Sequence, residues 1–378
     1  MSPGGSSISG WATAPREPTA VPDLACAARL LEMIGGGWAS QVIATAAEIG
    51  LADHLAGGPC TAGVLAVAAH CDPGALHRLL RALAALGLVD EGQGDTFTLT
   101  TLGSLLCVDA QPSLRSHALW WGRHLWPVWA RLTDSVRTGT SVRELMTGRR
   151  GFAHLDADAQ AAGIFHRSMS EMTQLVAADI VRVVDVAAAT TWVDVGGGYG
   201  EMLVAVLAAH PHLHGVLVDL PHALDGALAR AMAAGVASRL SVVAGSFFES
   251  VPAAADVYLL KSVLHDWDDA HCARILDTCR RAMTATASLV VVERLMPVRM
   301  VGDTAEHSVA RSDLNMLVAL GGRERTQDEF VALLAGSGFA APRFTPTPLG
   351  YCVIEAAPRP MEPPHSAAIS LLPTCPCG

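Results

Sequence analysis

A chain of 378 residues, 51% of them apolar, has enough hydrophobic material for a large core and two domains. Its formal charge of −10 argues against generic binding to a phosphate backbone, and no run of about 18 uninterrupted apolar residues offers a membrane span. The nine cysteines are odd in number and lack paired zinc-type spacing, which argues against a secreted disulfide framework and gives no metal site.

Residues 1–20 are rich in Gly, Ser, Pro and Thr and lack the apolar centre of a signal peptide. A flexible tail on a cytoplasmic protein is expected. Residues 21–110 read as a small helical unit with a hairpin. Asp72-Pro73 is a helix start, a capping side chain followed by proline at the first helical position. Leu76, Leu79, Leu80, Leu83 and Leu86 then recur at helical spacing, and Gly87 ends the helix. Leu88-Val89-Asp90, a Gly-containing turn and the alternating Thr96–Thr100 predict a hairpin behind the helices, a winged-helix-like unit. The chain is acidic and the helix pattern apolar, so the unit is expected to pack against protein and not against DNA.

Residues 111–185 read as a helical linker that reaches the substrate pocket. It carries Trp120, Trp121, Trp126 and Trp129. These are either buried packing and subunit contacts or an aromatic wall for a flat substrate. Residues 186–357 change pattern. Strand-like runs at Trp192–Val195, Val216–Val218, Leu240–Val243, Val257–Leu260 and Leu289–Val292 alternate with helical stretches. That alternation predicts an α/β domain, a parallel sheet with helices on both faces. Residues 358–378 are Pro/Ser-rich, contain Cys375 and Cys377, and are expected to be disordered.

Two segments of the α/β region carry chemistry. Asp194-Val195-Gly196-Gly197-Gly198 follows the first strand and precedes a helix. Glycines admit a ligand close to the backbone, and a helix N-terminus favours anionic groups. The sixth position of a dinucleotide fingerprint is Glu201 instead of glycine, and its charge would oppose a pyrophosphate. Asp219 closes the second strand roughly 20 residues after Gly196, where a carboxylate can accept from ribose hydroxyls. A nucleoside without a pyrophosphate fits better, and S-adenosylmethionine is such a molecule. Phe247 could cover an adenine face, and Ser246 could meet its edge. The second segment is Leu260–Asp269. It holds Lys261, the sole lysine of the chain, and His265, at a strand end. Glu293 ends the next apolar strand, and Glu324 lies in the turn Gly321–Thr326. A carboxylate that orients His265 would leave its other nitrogen free to accept a substrate proton.

Together these residues resemble the family of S-adenosylmethionine-dependent O-methyltransferases that includes plant caffeate/flavonoid enzymes and bacterial natural-product tailoring enzymes. The motifs are Val193–Gly200, Asp219-Leu220-Pro221, Gly245–Phe248, Leu260–Asp268, Glu293 and Gly321–Thr326. The resemblance implies a Rossmann-like class I methyltransferase domain behind an N-terminal winged-helix-like dimerisation domain, in a homodimer. It implies that Asp194, Gly196, Gly198, Asp219, Leu220, Ser246, Phe247 and Lys261 hold the cofactor. It further implies His265 as the base with Glu293 and Glu324 beside it, and Met169, Trp267, Asn315 and Met316 at the acceptor. Many members have an acidic residue at the position of Ser246, so altered adenine contacts are expected. The expected reaction is methylation of a phenolic or enolic hydroxyl of an aromatic natural product. The alternatives are N- or carboxyl methylation, non-methylating use of S-adenosylmethionine in hydroxylation or cyclisation, and a regulator that senses this molecule.

Overall fold

The computed structural model describes residues 23–360 except 157, 186 and 187, and gives only the backbone of residues 304 and 305. The expected tail 1–20 therefore lies outside the described residues, as do Cys375 and Cys377.

The N-terminal unit follows its local signals. Asp72 Oδ1 accepts from the Ala75 N–H at 2.8 Å and starts the helix Pro73–Ala85. Leu76, Leu80 and Leu83 are its buried stripe. Gly87, at φ +72°, turns the chain into the hairpin. The strands are β1 (Cys60–Thr61), β2 (Val89–Glu91) and β3 (Thr96–Leu99), antiparallel in the order β1-β3-β2. β1 was not expected, because two residues are too short to show alternation. The helix Leu24–Gly35 buries no side chain and leaves Leu24, Leu30, Leu31, Met33 and Ile34 exposed.

The large sheet holds β4 (Thr191–Val195), β5 (His214–Asp219), β6 (Leu240–Ala244), β7 (Val257–Lys261), β8 (Ser288–Arg294), β9 (Arg343–Pro346) and β10 (Tyr351–Ala356). Its spatial order is β6-β5-β4-β7-β8-β10-β9. β4 to β8 pair in parallel, as expected, but among the described residues turns and no helix link β6 to β7, which corrects the expected alternation there. β10 runs antiparallel between β8 and β9, which corrects the expectation of a purely parallel sheet. Only the short link Pro348–Gly350 separates β9 from β10, and so short a link permits only an antiparallel pair. Side chains alternate across the sheet. Trp192 joins one core with Leu203 and Leu207, while Val193 and Val195 join the other with Leu276 and Phe330.

From β4 the chain first builds outward through β5 and β6, then returns to lay β7 on the other side of β4. The carboxyl ends of β4 and β7 thus flank the switch point where such sheets take ligands. The helix Ala159–Val183 runs beside it. Its buried Glu171 accepts the N–H groups of Ser116 and His117 at 3.0 and 2.8 Å, which fixes the start of the segment leading to the tryptophans. The first residues of the expected C-terminal tail are ordered. Phe339 bridges to Pro358, and the Arg359 N–H donates to the Gly338 carbonyl at 2.9 Å. Among the described residues, no helix is long and apolar enough to cross a membrane.

Candidate active site

A cavity of about 430 Å³ opens at these strand ends. It is lined by every residue expected at the cofactor, the base and the acceptor except Glu293 and Glu324, which stand behind His265.

The glycine turn follows β4. Gly196 and Gly198 have φ of +74° and +58°, conformations that side-chain-bearing residues rarely adopt. A Cβ on Gly196 would approach the Phe247 ring at 3.2 Å. Asp219 ties the turn to β5. Its Oδ2 accepts from the Gly198 N–H and its Oδ1 from the Leu220 N–H, each at 2.7 Å. Burial raises the pKa of Asp219 against the pull of these two donors. Each oxygen keeps acceptor capacity for a ligand hydroxyl. Asp194 is buried under the turn, and neither of its oxygens has a well-aligned partner; the Leu203 N–H gives it only partial relief. Burial, then the charge of Asp219, pushes its pKa up to about 7, with Lys261 opposing. A buried carboxyl without a partner suits a cationic or donor group from a ligand. The cradle therefore fits S-adenosylmethionine.

Ser246 Oγ accepts from the Phe248 N–H at 3.3 Å and so shapes the turn after β6. Trp267 stands edge-on to Phe247 and Phe248, with centroids at 6.2 and 4.8 Å. Trp267, expected at the acceptor, lines the cavity beside these two rings. Lys261 Nζ lies 3.2 Å from Ser262 Oγ and 5.3 Å from the centre of the Tyr351 ring. Glu201 corrects a second expectation. Its buried carboxylate is gripped by Arg230 at 2.6 and 2.5 Å. That charge is neutralised within the fold, so it supplies no repulsion against a pyrophosphate.

His265 sits in a short turn after β7. Its Nδ1 meets Glu324 Oε1 at 3.0 Å and Glu293 Oε2 at 3.4 Å, and both carboxylates are fully buried. Glu293 Oε1 also accepts the N–H groups of Val263 and His265 at 3.1 and 3.2 Å, so it fixes the turn as well as the ring. Ser312 Oγ donates to Glu324 Oε1 at 2.6 Å. Burial works against a charged imidazole, but Glu293, Glu324 and Asp266 outweigh it and raise the His265 pKa well above 6.5. A proton held at Nδ1 leaves Nε2 as the accepting nitrogen. The nearest carboxylate to Nε2 is Asp266 Oδ1 at 3.4 Å. Burial, against the pull of His265, pushes the Asp266 pKa up to about 7. Ligand atoms of His265, Glu293 and Glu324 lie within 4.8 Å of one another, a spacing that would admit a cation as well as a proton.

Met169, from the helix Ala159–Val183, and Asn315 and Met316, from the helix Thr304–Ala319, are the residues expected at the acceptor, and all three line the cavity. Trp120 and Trp121 line the cavity. Trp129 reaches it indirectly, donating from Nε1 to Asn315 Oδ1 at 3.0 Å. Trp126 is 40% exposed and faces away from this group. The cluster therefore divides between wall and surface. Sequence reasoning missed Asp266, Ser312, Tyr351 and Arg325. Arg325 is almost wholly buried and donates to the carbonyls of Leu264 and Trp267 at 2.9 and 2.8 Å, pinning the His265 turn. The run Arg323-Glu324-Arg325 was its visible trace: a cation that close to a buried carboxylate seldom stands idle.

Residues 129–340 match the O-methyltransferase domain, and residues 31–109 match the O-methyltransferase dimerisation domain. The chain belongs to this family, and it is an S-adenosylmethionine-dependent O-methyltransferase with the Rossmann-like class I fold. It is 38% identical to the phenazine O-methyltransferase PhzM of Lysobacter antibioticus, over 87% of this chain and 95% of that protein. It is 36% identical to the aclacinomycin 10-hydroxylase RdmB of Streptomyces purpurascens, over 82% of this chain and 84% of that protein. Among solved structures it resembles NcsB1, an O-methyltransferase from neocarzinostatin biosynthesis in complex with S-adenosylmethionine and 2-hydroxy-5-methyl naphthoic acid. That likeness has a TM-score of 0.71 at 32% identity and covers 84% of this chain and 95% of that one.

Proposed function

We propose that this enzyme methylates a phenolic or enolic hydroxyl of an aromatic natural product, with His265 as general base. The observation that carries this reading is the His265 ring, held at Nδ1 by Glu324 with Glu293 beside it. When bound, S-adenosylmethionine supplies an electrophilic methyl group. Asp194, Gly196, Gly198, Asp219, Leu220, Ser246, Phe247 and Lys261 hold it, with Trp267 behind Phe247. Met169, Asn315, Met316 and Trp121 border the acceptor. A phenol of pKa about 10 is poorly ionised at neutral pH, so its oxygen needs a base as it attacks. His265 Nε2 takes that proton, and Glu324 and Glu293 stabilise the imidazolium. A carboxylic acid acceptor would need no such arrangement. The relatives named for a phenazine and crystallised with a naphthoic acid support a flat aromatic acceptor. The dimerisation match and the exposed apolar face of Leu24–Gly35 support a homodimer.

The likeness to RdmB favours a second reading, in which bound S-adenosylmethionine serves a hydroxylation. One experiment separates the two. The enzyme is incubated with S-adenosylmethionine and a panel of hydroxylated aromatics, and S-adenosylhomocysteine release is followed with mass analysis of the products. Release in step with a methyl gain is expected. Hydroxylated product without S-adenosylhomocysteine would overturn the proposal.

A further inference from the structure

We infer that Arg294 and Arg311 form an anion subsite in the acceptor half of the cavity, and that the aromatic acceptor carries a carboxylate. This rests on the aromatic acceptor proposed above. Arg294 ends β8, directly after Glu293, and its guanidinium lies 4.2 Å from the centre of the Tyr351 ring. Arg311 lies on the helix Thr304–Ala319, one residue before the Ser312 that holds Glu324, with its guanidinium 5.7 Å from the Trp121 ring centre. Both line the cavity beside His265.

Three other arginines of this fold are paired with carboxylates, Arg115 with Asp53, Arg230 with Glu201 and Arg325 with Asp269, while Arg143, on the same cavity, donates only to the His124 carbonyl at 3.2 Å. Among the described residues, no carboxylate lies within 4.0 Å of Arg294 or Arg311. Arg294 Nη1 is buried with no hydrogen-bond partner. Arg294 has one internal use, since its charge helps hold the Glu324 carboxyl down. Arg311 has no such use. Burial lowers its pKa, and the neighbouring charge that adds to this is another cation, Arg294. His117, pushed down to about 4 by burial and by these two arginines, supplies no countercharge. Two unpaired guanidiniums on one wall repel each other unless an anion lies between them. Aromatic rings occupy a face of each, which leaves the donor forks for a ligand. A planar carboxylate in the plane of an aromatic ring matches such forks.

The test is calorimetric titration of the enzyme saturated with S-adenosylhomocysteine. Matched pairs serve as probes: 1-naphthoate, 3-hydroxy-2-naphthoate and phenazine-1-carboxylate, each with its carboxamide. At least one acid is expected to bind about tenfold or more tightly than its amide. Arg311→Met should abolish that preference, Arg311→Lys should keep part of it, and S-adenosylhomocysteine affinity should stay unchanged in both. A panel in which no acid outbinds its amide overturns the inference, as does a preference that survives Arg311→Met. Two of these acids have no hydroxyl to methylate. Their binding therefore tests the subsite independently of whether His265 acts as a base.

Discussion

Gly322 stands directly against the backbone of the His265 turn. A Cβ at this position would lie 2.1 Å from the His265 carbonyl oxygen and 2.4 Å from the Asp266 carbonyl carbon. The next residue, Arg323, donates its N–H to that same oxygen at 2.9 Å. The turn that carries Glu324 is thus docked backbone to backbone on the turn that carries His265. Gly322→Ala must push the two apart. It should destabilise the fold by about 1–3 kcal/mol, as overpacking does. It should also lower turnover at least about tenfold, because the 3.0 Å contact between Nδ1 and Glu324 cannot survive the shift. Thermal unfolding and S-adenosylhomocysteine release measure the two effects. Full activity in a folded Gly322→Ala enzyme would show that this docking does not govern the base.

That relationship marks how far the sequence could be read. β4 to β8 were legible because each is an apolar run, and all but β6 are followed by a helix. Asp219 was legible because its distance along the chain from Gly196 is local to one strand–helix–strand unit. The grouping of His265 and Glu293 could be expected from their strand ends, and that of Glu324 from the turn that precedes the helix at Gln327. Contacts set by spatial neighbours far apart in the chain were not legible. β10 lies beside β8 through a long connection, so Tyr351 could not be foreseen under Lys261 and Arg294. The partner of Glu201, Arg230, comes from a different helix. Trp267 follows His265 closely in sequence, yet an extended residue turns it away to Phe248.

The pH dependence of turnover should report the carboxylates around His265. Neutral imidazole is the form that accepts a proton. Glu293, Glu324 and Asp266 face it, Lys261 and Arg294 lie near the same cluster, and the net effect is a His265 pKa well above 6.5. Activity should therefore rise with pH through an acid limb that lies above 6.5. Glu324→Gln removes one charge that favours imidazolium, so the His265 pKa falls and the limb moves to lower pH. Maximal turnover should fall about tenfold or more, since a charge-assisted bond at Nδ1 is lost. A profile of kcat/KM against pH for both enzymes reads the shift. A limb that stays put in the variant would detach it from His265.

Asp219 should govern cofactor affinity. It anchors the Gly198 N–H and offers its remaining acceptor capacity to the cavity. Asp219→Ala leaves the turn without its tie and removes a charged acceptor, a loss of about 1.5–3 kcal/mol. The dissociation constant for S-adenosylhomocysteine should rise at least about tenfold, measured by calorimetry, with circular dichroism unchanged. A constant within about twofold of wild type would reduce Asp219 to a purely internal anchor.

Removal of the imidazole is the most direct test of the base. His265→Ala should reduce S-adenosylhomocysteine release with a phenolic acceptor at least about a hundredfold, the lower end of general-base effects. Cofactor binding should remain close to wild type, because the glycine turn and Asp219 make no contact with the ring. The loss should shrink for acceptors of lower phenol pKa, which need less help to ionise; a slope of rate against acceptor pKa, steeper in the variant than in wild type, is the signature. The three ligand atoms within 4.8 Å of one another require a parallel control. With Nδ1 protonated toward Glu324 at 3.0 Å, the proton fills the space a cation would need, so dialysis against a chelator should leave wild-type turnover unchanged. Loss of activity on dialysis, restored by a divalent cation, would convert this triad from a proton acceptor into a metal centre.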